Sequence, residues 1–187
     1  MRAWPCLVAI AALATAGCGP DSGTESPPPL HATVSASAGT CPGAQSYQHA
    51  TLEYRVCYPA GWITRDYTSE PGSGGALSVV AFGPAEKVPQ RIPSGVEYAP
   101  PLDVRVIAGP KSTIEPSLAQ GERIQAVTVG GRPADRIEAT LAGPGMGAIF
   151  VLIEYQDDTY IVEKAPGSDY RAQLDAMLHS FVFAAAG

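Results

Sequence analysis

Charged residues are scarce in this chain of 187 residues, and basic residues are the scarcer kind. Asp, Glu, Lys and Arg make up 16% of the chain, and the formal charge at pH 7 is −6. This balance excludes a nucleic-acid binder, which needs a basic surface to displace counterions. It also excludes a coiled coil, while a hydrophobic content of 45% excludes a chain too polar to fold. The length allows one domain with a tail.

No apolar run is long enough to cross a membrane, which requires about 20 residues. The run Ala3–Gly17 is shorter, follows Arg2 and ends in small residues, a pattern typical of a signal peptide. Its end, LATAGC up to Cys18, resembles the lipobox of bacterial lipoproteins. In that family the Cys thiol receives diacylglycerol and the leader is cut before it. The resemblance predicts a signal peptide at 1–17 and lipidation of Cys18; the alternative is a plain secreted protein.

A tether follows the predicted lipid anchor. Residues 18–40 are rich in Pro, Ser and Gly and show no hydrophobic period, which indicates a flexible linker. The 22 residues between Cys18 and Cys41 would span about 26 Å as a coil. Two acyl chains hold a protein firmly on a bilayer, at about 0.8 kcal/mol per buried CH₂. We therefore expect a globular domain at 41–187, lipid-anchored on the outer, extracytoplasmic face of the bacterial cytoplasmic membrane.

Four cysteines divide between processing and folding. Cys6 leaves with the signal peptide and Cys18 takes the lipid, so Cys41 and Cys57 remain as an even pair in an oxidising compartment. We predict a disulfide between them, whose loop would contribute about 3 kcal/mol of stability. The alternative, a two-Cys metal site, has no C-x-x-C and no paired His to support it. No metal is therefore expected.

Period-two alternation of apolar and polar residues dominates the rest of the chain and predicts an antiparallel sheet. Gly130-Gly131 has the composition of a hairpin turn. Residues 148–153 are nearly all apolar and predict a central strand covered on both faces. A short helix is expected at 116–120, and the other strands are expected at 52–58, 76–82, 102–108, 123–129, 132–141 and 160–163.

The best helix lies near the end of the chain. Ser168 or Asp169 is expected to cap it by accepting bonds from free backbone N–H groups. Its apolar stripe needs a large apolar surface, and the antiparallel sheet is the one expected here. The stripe consists of Tyr170, Leu174, Met177, Leu178 and Phe181.

Three segments carry a family resemblance: YRVCYPAGW at 54–62, VTVGGRPA at 127–134 and SFVF at 180–183. Together they resemble the PsbP-like family, over roughly residues 51–183. The layout of lipobox, tether and domain is similar to that of actinobacterial lipoproteins of the LpqN type. The resemblance implies an α+β fold, in which helices flank an antiparallel sheet as an α/β/α sandwich. It also implies a binding or assembly role, and no catalytic residue is carried over from it.

No catalytic constellation is visible in the sequence. G-x-S-x-G and S-x-x-K are absent, and His31, His49 and His179 have no partners at a catalytic spacing. Residues 109–113 lack the glycines of a phosphate loop, and 157–158 indicate a solvated turn rather than a calcium site. We therefore expect no enzyme activity and no cofactor.

The segment Gly83–Pro101 has nineteen residues, five of them Pro, and no period. Loops of this length in a compact domain are usually functional or disordered. Arg91 and Tyr98 are its expected contact residues for a partner. The alternative is a Pro-stiffened flap that covers one face of the sheet.

These observations favour a lipid-anchored binding or assembly domain of the bacterial cell envelope, without catalysis, whose partner is an envelope protein or a small ligand. Two alternatives have distinct structural signatures. A hydrolase would gather several of Asp103, Glu138, Glu154 and Tyr155 in one pocket with perturbed pKa values. A small-molecule or lipid carrier would have a deep apolar cavity between sheet and helix.

Overall fold

The computed structural model describes residues 41–92, 98–119, 122–139 and 147–183. The predicted signal peptide, Cys18, the tether and His31 lie outside these residues. Within them the chain forms ten strands and two α-helices. In chain order these are β1 (Ala44–Gln48), β2 (Tyr54–Pro59), β3 (Ile63–Asp66), β4 (Ser78–Gly83), β5 (Leu102–Ala108), α1 (Glu115–Ala119), β6 (Ile124–Val129), β7 (Arg132–Ala139), β8 (Ala148–Tyr155), β9 (Asp158–Lys164), α2 (Arg171–Ser180) and β10 (Val182–Phe183).

Seven strands form one antiparallel sheet, the large sheet, in the order β3-β4-β5-β9-β8-β7-β6. The segment predicted as a central strand lies in β8, between β9 and β7, and most of its side chains are buried. The predicted hairpin joins β6 to β7. Its Gly130 and Gly131 have φ of 57° and 76°, which residues with a Cβ rarely adopt.

Three further strands form a small antiparallel sheet in the order β1-β2-β10. Only β2 is evident from the sequence, because β1 is mostly polar and β10 has two residues. The sulfur atoms of Cys41 and Cys57 lie 1.93 Å apart, in the pairing that the sequence predicts. This disulfide fastens the chain just before β1 to the middle of β2.

One face of the large sheet, the α2 face, packs against α2 and the small sheet. Tyr54 of β2 stacks on Phe181 with ring centroids 5.5 Å apart, and it meets Tyr160 of β9 edge-on at 5.7 Å. The stripe residues Leu174 and Met177 of α2 are fully buried in the same core. The C-terminal helix therefore packs on the antiparallel sheet, as its apolar stripe predicts.

The predicted cap of α2, by Ser168 or Asp169, is wrong. The helix begins at Arg171, and Tyr170 precedes it without a side-chain hydrogen bond to the first turn. Ser168 lies too far before the helix and is already bonded: its Oγ donates to the carbonyl of Ala165 at 2.8 Å. The same turn is held by buried Lys164, whose Nζ donates to the carbonyls of Ala165 and Ser168 at 2.9 and 3.0 Å.

The opposite face of the large sheet, the cleft face, has different neighbours at its two ends. At one end α1 packs on β7 and β8 through Ala119, Ile137 and Leu152. At the other end, residues that follow β3 and β4 pack on β4 through Tyr67, Val88, Ile92 and Tyr98. The described helices, of 5 and 10 residues, are few and short beside the strands. The structure therefore shows a strand-rich antiparallel fold, with less helix than the implied sandwich.

Candidate functional site

Between the two ends of the cleft face lies a group of charged side chains on β5 and β9. Successive side chains of a strand point to opposite faces. Leu102 and Val104 therefore face the α2 core, whereas Asp103 points to the cleft face. The register places Asp103 directly opposite Glu163 of β9. Opposed residues in antiparallel strands have Cβ atoms about 5 Å apart, so the two carboxyl groups are close neighbours.

Asp103 is buried without a full set of partners. Its side chain is 2% exposed, and Oδ1 accepts no hydrogen bond from any described residue. The nearest cation is the Arg105 guanidinium, with Nη2 3.9 Å from Oδ2. That distance is too long for a hydrogen bond. Arg105 therefore offsets the charge of Asp103 from a distance and leaves Oδ1 unoccupied.

Burial raises the pKa of the Asp103 carboxyl well above its usual range, and the negative charge of Glu163 raises it further. Arg105 opposes both effects without cancelling them. Burial raises the pKa of Glu163 as well, against the same guanidinium. Because the two carboxyls interact strongly, their protons belong to the pair rather than to either residue. The pair is suited to hold a proton or a cation.

A cleft of about 230 Å³ opens beside this pair, and Asp103 and Arg105 form part of its wall. Its other walls include two tyrosine rings and several apolar side chains. The rings of Tyr67 and Tyr98 meet edge-on, with centroids 5.9 Å apart. The remaining lining residues are Gly72, Ser73, Val79, Ile92 and Pro100. A carboxyl group and two aromatic rings thus border one small space.

The outer wall of the cleft is fixed by hydrogen bonds from both tyrosines. The hydroxyl of Tyr98 donates to the carbonyl of Lys87 at 2.8 Å, and the hydroxyl of Tyr67 donates to that of Pro89. Burial is the largest cause that raises the pKa of Tyr98. Tyr98, predicted as a contact residue, is therefore half-buried and lines the cleft, whereas Arg91 is exposed and does not. The described residues of Gly83–Pro101 cover the sheet as the flap alternative expects; residues 93–97 lie outside the description.

Gly83 at the end of β4 allows this flap to approach closely. A Cβ at this position would lie 2.8 Å from Cγ of Pro101 and 2.9 Å from Cγ2 of Val88. Real Cβ atoms essentially never come so close to a neighbour, so any larger residue would push the flap outward. The close packing of Val88 and Pro101 against the end of β4 thus depends on one glycine.

A wider and more open recess of about 760 Å³ is also lined by Tyr98. Lys87, Pro101, Asp169 and Tyr170 are among its lining residues. Tyr98 is therefore shared between a small cleft that contains Asp103 and a broad recess that contains charges of both signs.

The structure does not bring together the four residues that a hydrolase site would use, Asp103, Glu138, Glu154 and Tyr155. Glu138 is half-exposed and accepts two bonds from Arg171, at 2.6 and 2.9 Å. These bonds are the largest cause that lowers its pKa to about 2, and a bond from Arg136 at 3.1 Å adds to the effect. Glu154 accepts a bond from the backbone N–H of Lys111 at 3.4 Å. Tyr155 stacks on Phe183, with ring centroids 4.2 Å apart. Of the four, only Asp103 lines the cleft.

The remaining candidates are accounted for by local structure. Nδ1 of His49 accepts the backbone N–H of Leu52 at 3.1 Å, and burial lowers the pKa of this imidazole. His179 is exposed in the last turn of α2. Lys111, in the rejected phosphate loop, pairs with Asp135. Within the described ranges no three His, Cys, Asp or Glu residues are grouped to hold a metal, and no helix could span a membrane.

Glu163 is the site residue that sequence reasoning missed. Asp103 and Glu163 each interrupt an apolar strand, as LDV at 102–104 and VEK at 162–164. A charged residue inside an apolar strand is the sequence signal that could have indicated Glu163 as a site residue. Their adjacency depends on the pairing of β5 with β9, which are far apart in the chain. A strand pattern alone does not reveal which strands become neighbours.

No family model and no curated protein sequence matches the chain. Among solved structures it is similar to the solution structure of cyanobacterial PsbP (CyanoP) from Synechocystis sp. PCC 6803. The similarity covers 80% of this chain and 97% of that chain, with 15% sequence identity and a TM-score of 0.47. That protein bears the name of the family that the sequence motifs resemble.

Proposed function

We propose that this protein is a lipid-anchored, extracytoplasmic binding domain that holds a small polar ligand in the Asp103 cleft and performs no catalysis. We further propose that it is a lipoprotein with a PsbP-like α/β/α domain, similar in layout to the LpqN type. The observation that carries the binding function is the buried Asp103 carboxyl, whose Oδ1 lacks a donor among the described residues.

The energetic cost of this carboxyl supports a binding role. A buried polar atom without its hydrogen bond costs about 1–3 kcal/mol, and more if it is charged. The cost would disappear if a ligand supplied the missing donor. A concave space lined by apolar and aromatic groups, with one perturbed carboxyl, is the usual form of a ligand site. The cleft combines these features in about 230 Å³.

The packing of the apolar core favours the cleft as the binding site and disfavours a lipid cavity between α2 and the large sheet. Between α2 and the large sheet, the side chains of Leu174, Met177 and Phe181 have no exposed surface, and they contact the sheet directly. A carrier of acyl chains would need room where these side chains pack. A small polar ligand at the cleft face requires no such space.

The anchor places this binding function at the membrane surface. The proposal rests on Arg2, the apolar run Ala3–Gly17 and the lipobox ending in Cys18, followed by the tether at 18–40. Mass spectrometry of the mature N-terminus from a bacterial membrane fraction should find diacylated Cys18 as the first residue. A Cys18→Ser variant cut at the same bond and held equally well on membranes would refute the anchor.

The binding function is tested by the small molecules that co-purify with the full-length protein. We expect mass spectrometry to find one that accompanies the wild type and the control Asp175→Asn, whose carboxylate is exposed on α2. Asp103→Asn should lose it. Equal amounts with all three proteins, or none with the wild type, would contradict a ligand-binding function of the cleft.

A further inference from the structure

We propose that the Asp103 cleft takes a compact organic cation, a molecule whose primary ammonium group donates hydrogen bonds to Oδ1 of Asp103. The inference rests on the proposed function, because it names the chemical class of the ligand at the same cleft. Three features of the cleft favour this class: the unpartnered acceptor, the local balance of charge, and the aromatic walls.

When the Asp103 carboxyl is ionised, both of its oxygens are acceptors, so a ligand at the unpartnered oxygen is a donor. Oδ1 of Asp103 is buried and receives no hydrogen bond from the described residues, while Oδ2 has Arg105 at 3.9 Å. A primary ammonium carries three N–H donors and a full positive charge. Its hydrogen bonds to a carboxylate are about twice as strong as bonds between neutral groups. It therefore meets both the geometric and the electrostatic need of this oxygen.

The charges that act on Asp103 leave an excess of negative charge. Glu163 adds a second carboxyl across the strand pair, and Arg105 is the cation that opposes them. With both acids ionised, two negative charges face one guanidinium, which is itself about one-third exposed to water. A bound cation would complete the balance. An anion in the same position would lie against two carboxyls.

The aromatic walls suit the body of such a cation. Tyr67 and Tyr98 border the cleft together with Val79, Ile92 and Pro100. An aromatic face attracts an ammonium group, and apolar side chains accept its carbon chain. The volume of about 230 Å³ lies below the range of about 300–1,000 Å³ for typical ligand sites, so the ligand is small.

Arg65 on β3 provides the competing possibility of an anionic ligand. Its Nε is buried and donates to no described residue. Its charge acts on Tyr67 and Tyr98, whose pKa values it lowers against the effect of burial, and β4 separates its strand from that of Asp103. We therefore assign the ammonium to Asp103 and make a carboxylate ligand an explicit arm of the test.

Binding of a cation should depend on pH, because the acceptor must be ionised. The titratable and charged groups around Asp103 are Glu163 on β9 and Arg105 on β5, with Tyr67 and Tyr98 in the opposite wall of the cleft. Since the pKa of the Asp103 carboxyl is raised in the free protein, binding should release protons and become tighter as pH rises. Calorimetry in two buffers of different ionisation heat would measure that release.

The test uses three four-carbon probes that differ in charge: n-butylammonium, n-butanol and butyrate. Each is titrated by calorimetry into the full-length protein in detergent. We expect saturable binding of n-butylammonium, at least tenfold tighter than that of the other two. Asp103→Asn should weaken it at least tenfold, and Glu163→Gln severalfold. The control Asp175→Asn should bind as the wild type does.

Three results would overturn the inference: tighter binding of butyrate, undiminished binding of n-butylammonium to Asp103→Asn, or no saturable binding of n-butylammonium to the wild type. If Asp103→Asn does not fold, Glu163→Gln decides the test, because undiminished binding of n-butylammonium to that variant would also overturn the inference. The co-purification experiment separates this failure from that of the proposed function. If an Asp103-dependent small molecule is found but n-butylammonium does not bind, the ligand class is wrong and the binding function stands.

Discussion

The two faces of the large sheet are built from alternate residues of the same strands, yet they differ in how completely their groups are satisfied. The α2 face is a filled apolar core. The carboxylate of Glu138, which is half-exposed on the same face, is paired with Arg171. The cleft face keeps the Asp103 carboxyl buried, with an oxygen that no described residue bonds. The first arrangement stabilises the fold, whereas the second costs stability in a place where a ligand could compensate for it.

The largest effect is expected on the α2 face. Phe181→Ala removes a fully buried ring that stacks on Tyr54, and we expect a loss of about 3–5 kcal/mol in the free energy of unfolding. Urea denaturation of the full-length protein measures it. The control Ile124→Ala, at a side chain 40% exposed on edge strand β6, should cost less than about 1 kcal/mol. Similar losses in both variants would contradict the placement of the core.

The disulfide is expected to rank second. Replacement of Cys41 and Cys57 together by Ser should lower the free energy of unfolding by about 3 kcal/mol, because the unfolded chain regains the freedom of the closed loop. Non-reducing peptide mapping should first find the two cysteines joined. Finding them as free thiols, or an unchanged stability in the double variant, would contradict the bond.

A clash under the flap should have a smaller effect. Gly83→Ala places a Cβ against Pro101 and Val88, and we expect a cost of about 1–3 kcal/mol. The matched control is Gly72→Ala, whose Cβ would meet Cδ1 of Ile92 at an ordinary 3.6 Å. Thermal unfolding of the two variants should therefore differ, and equal midpoints would show that the flap does not pack on Gly83.

The stability contributions of Asp103 and Glu138 should depend on pH in opposite directions. The pKa of Asp103 is raised in the folded state, so its contribution to stability is complete below the unfolded value of about 3.9 and is lost as pH rises through the folded value. Each pH unit between these values costs about 1.4 kcal/mol. Urea denaturation from pH 4 to 8 should show the free energy of unfolding of Asp103→Asn rising relative to that of the wild type. A constant difference between the two would refute the raised pKa.

The smallest effect belongs to Glu138. Its pKa is lowered to about 2, so its contribution is present above the ordinary value of about 4.3 and is lost as pH falls towards 2. Because the side chain is 46% exposed, the screened pair should contribute less than about 1 kcal/mol. The difference between Glu138→Gln and the wild type should thus shrink as pH falls from 5 to 2, and also in high salt. A difference that is undiminished at pH 2 would contradict the pairing with Arg171.

The α2 face was largely predictable from the sequence, and the cleft was not. Alternation and a helical stripe report which side chains are apolar, and these patterns located β5, β8 and α2 closely. The cap of α2 was missed because Ser168 bonds the turn before the helix. The cleft depends on the Asp103–Glu163 pairing and on a flap that folds back over β4, and long-range pairing leaves no local signal.

The most direct test of this account is the titration of the Asp103 carboxyl itself, followed by carbon NMR on the full-length protein with and without saturating n-butylammonium. The account predicts a midpoint well above the usual Asp range in the free protein, which moves down when the cation binds. A midpoint near 3.9 in the free protein, or one that the cation leaves in place, would contradict it.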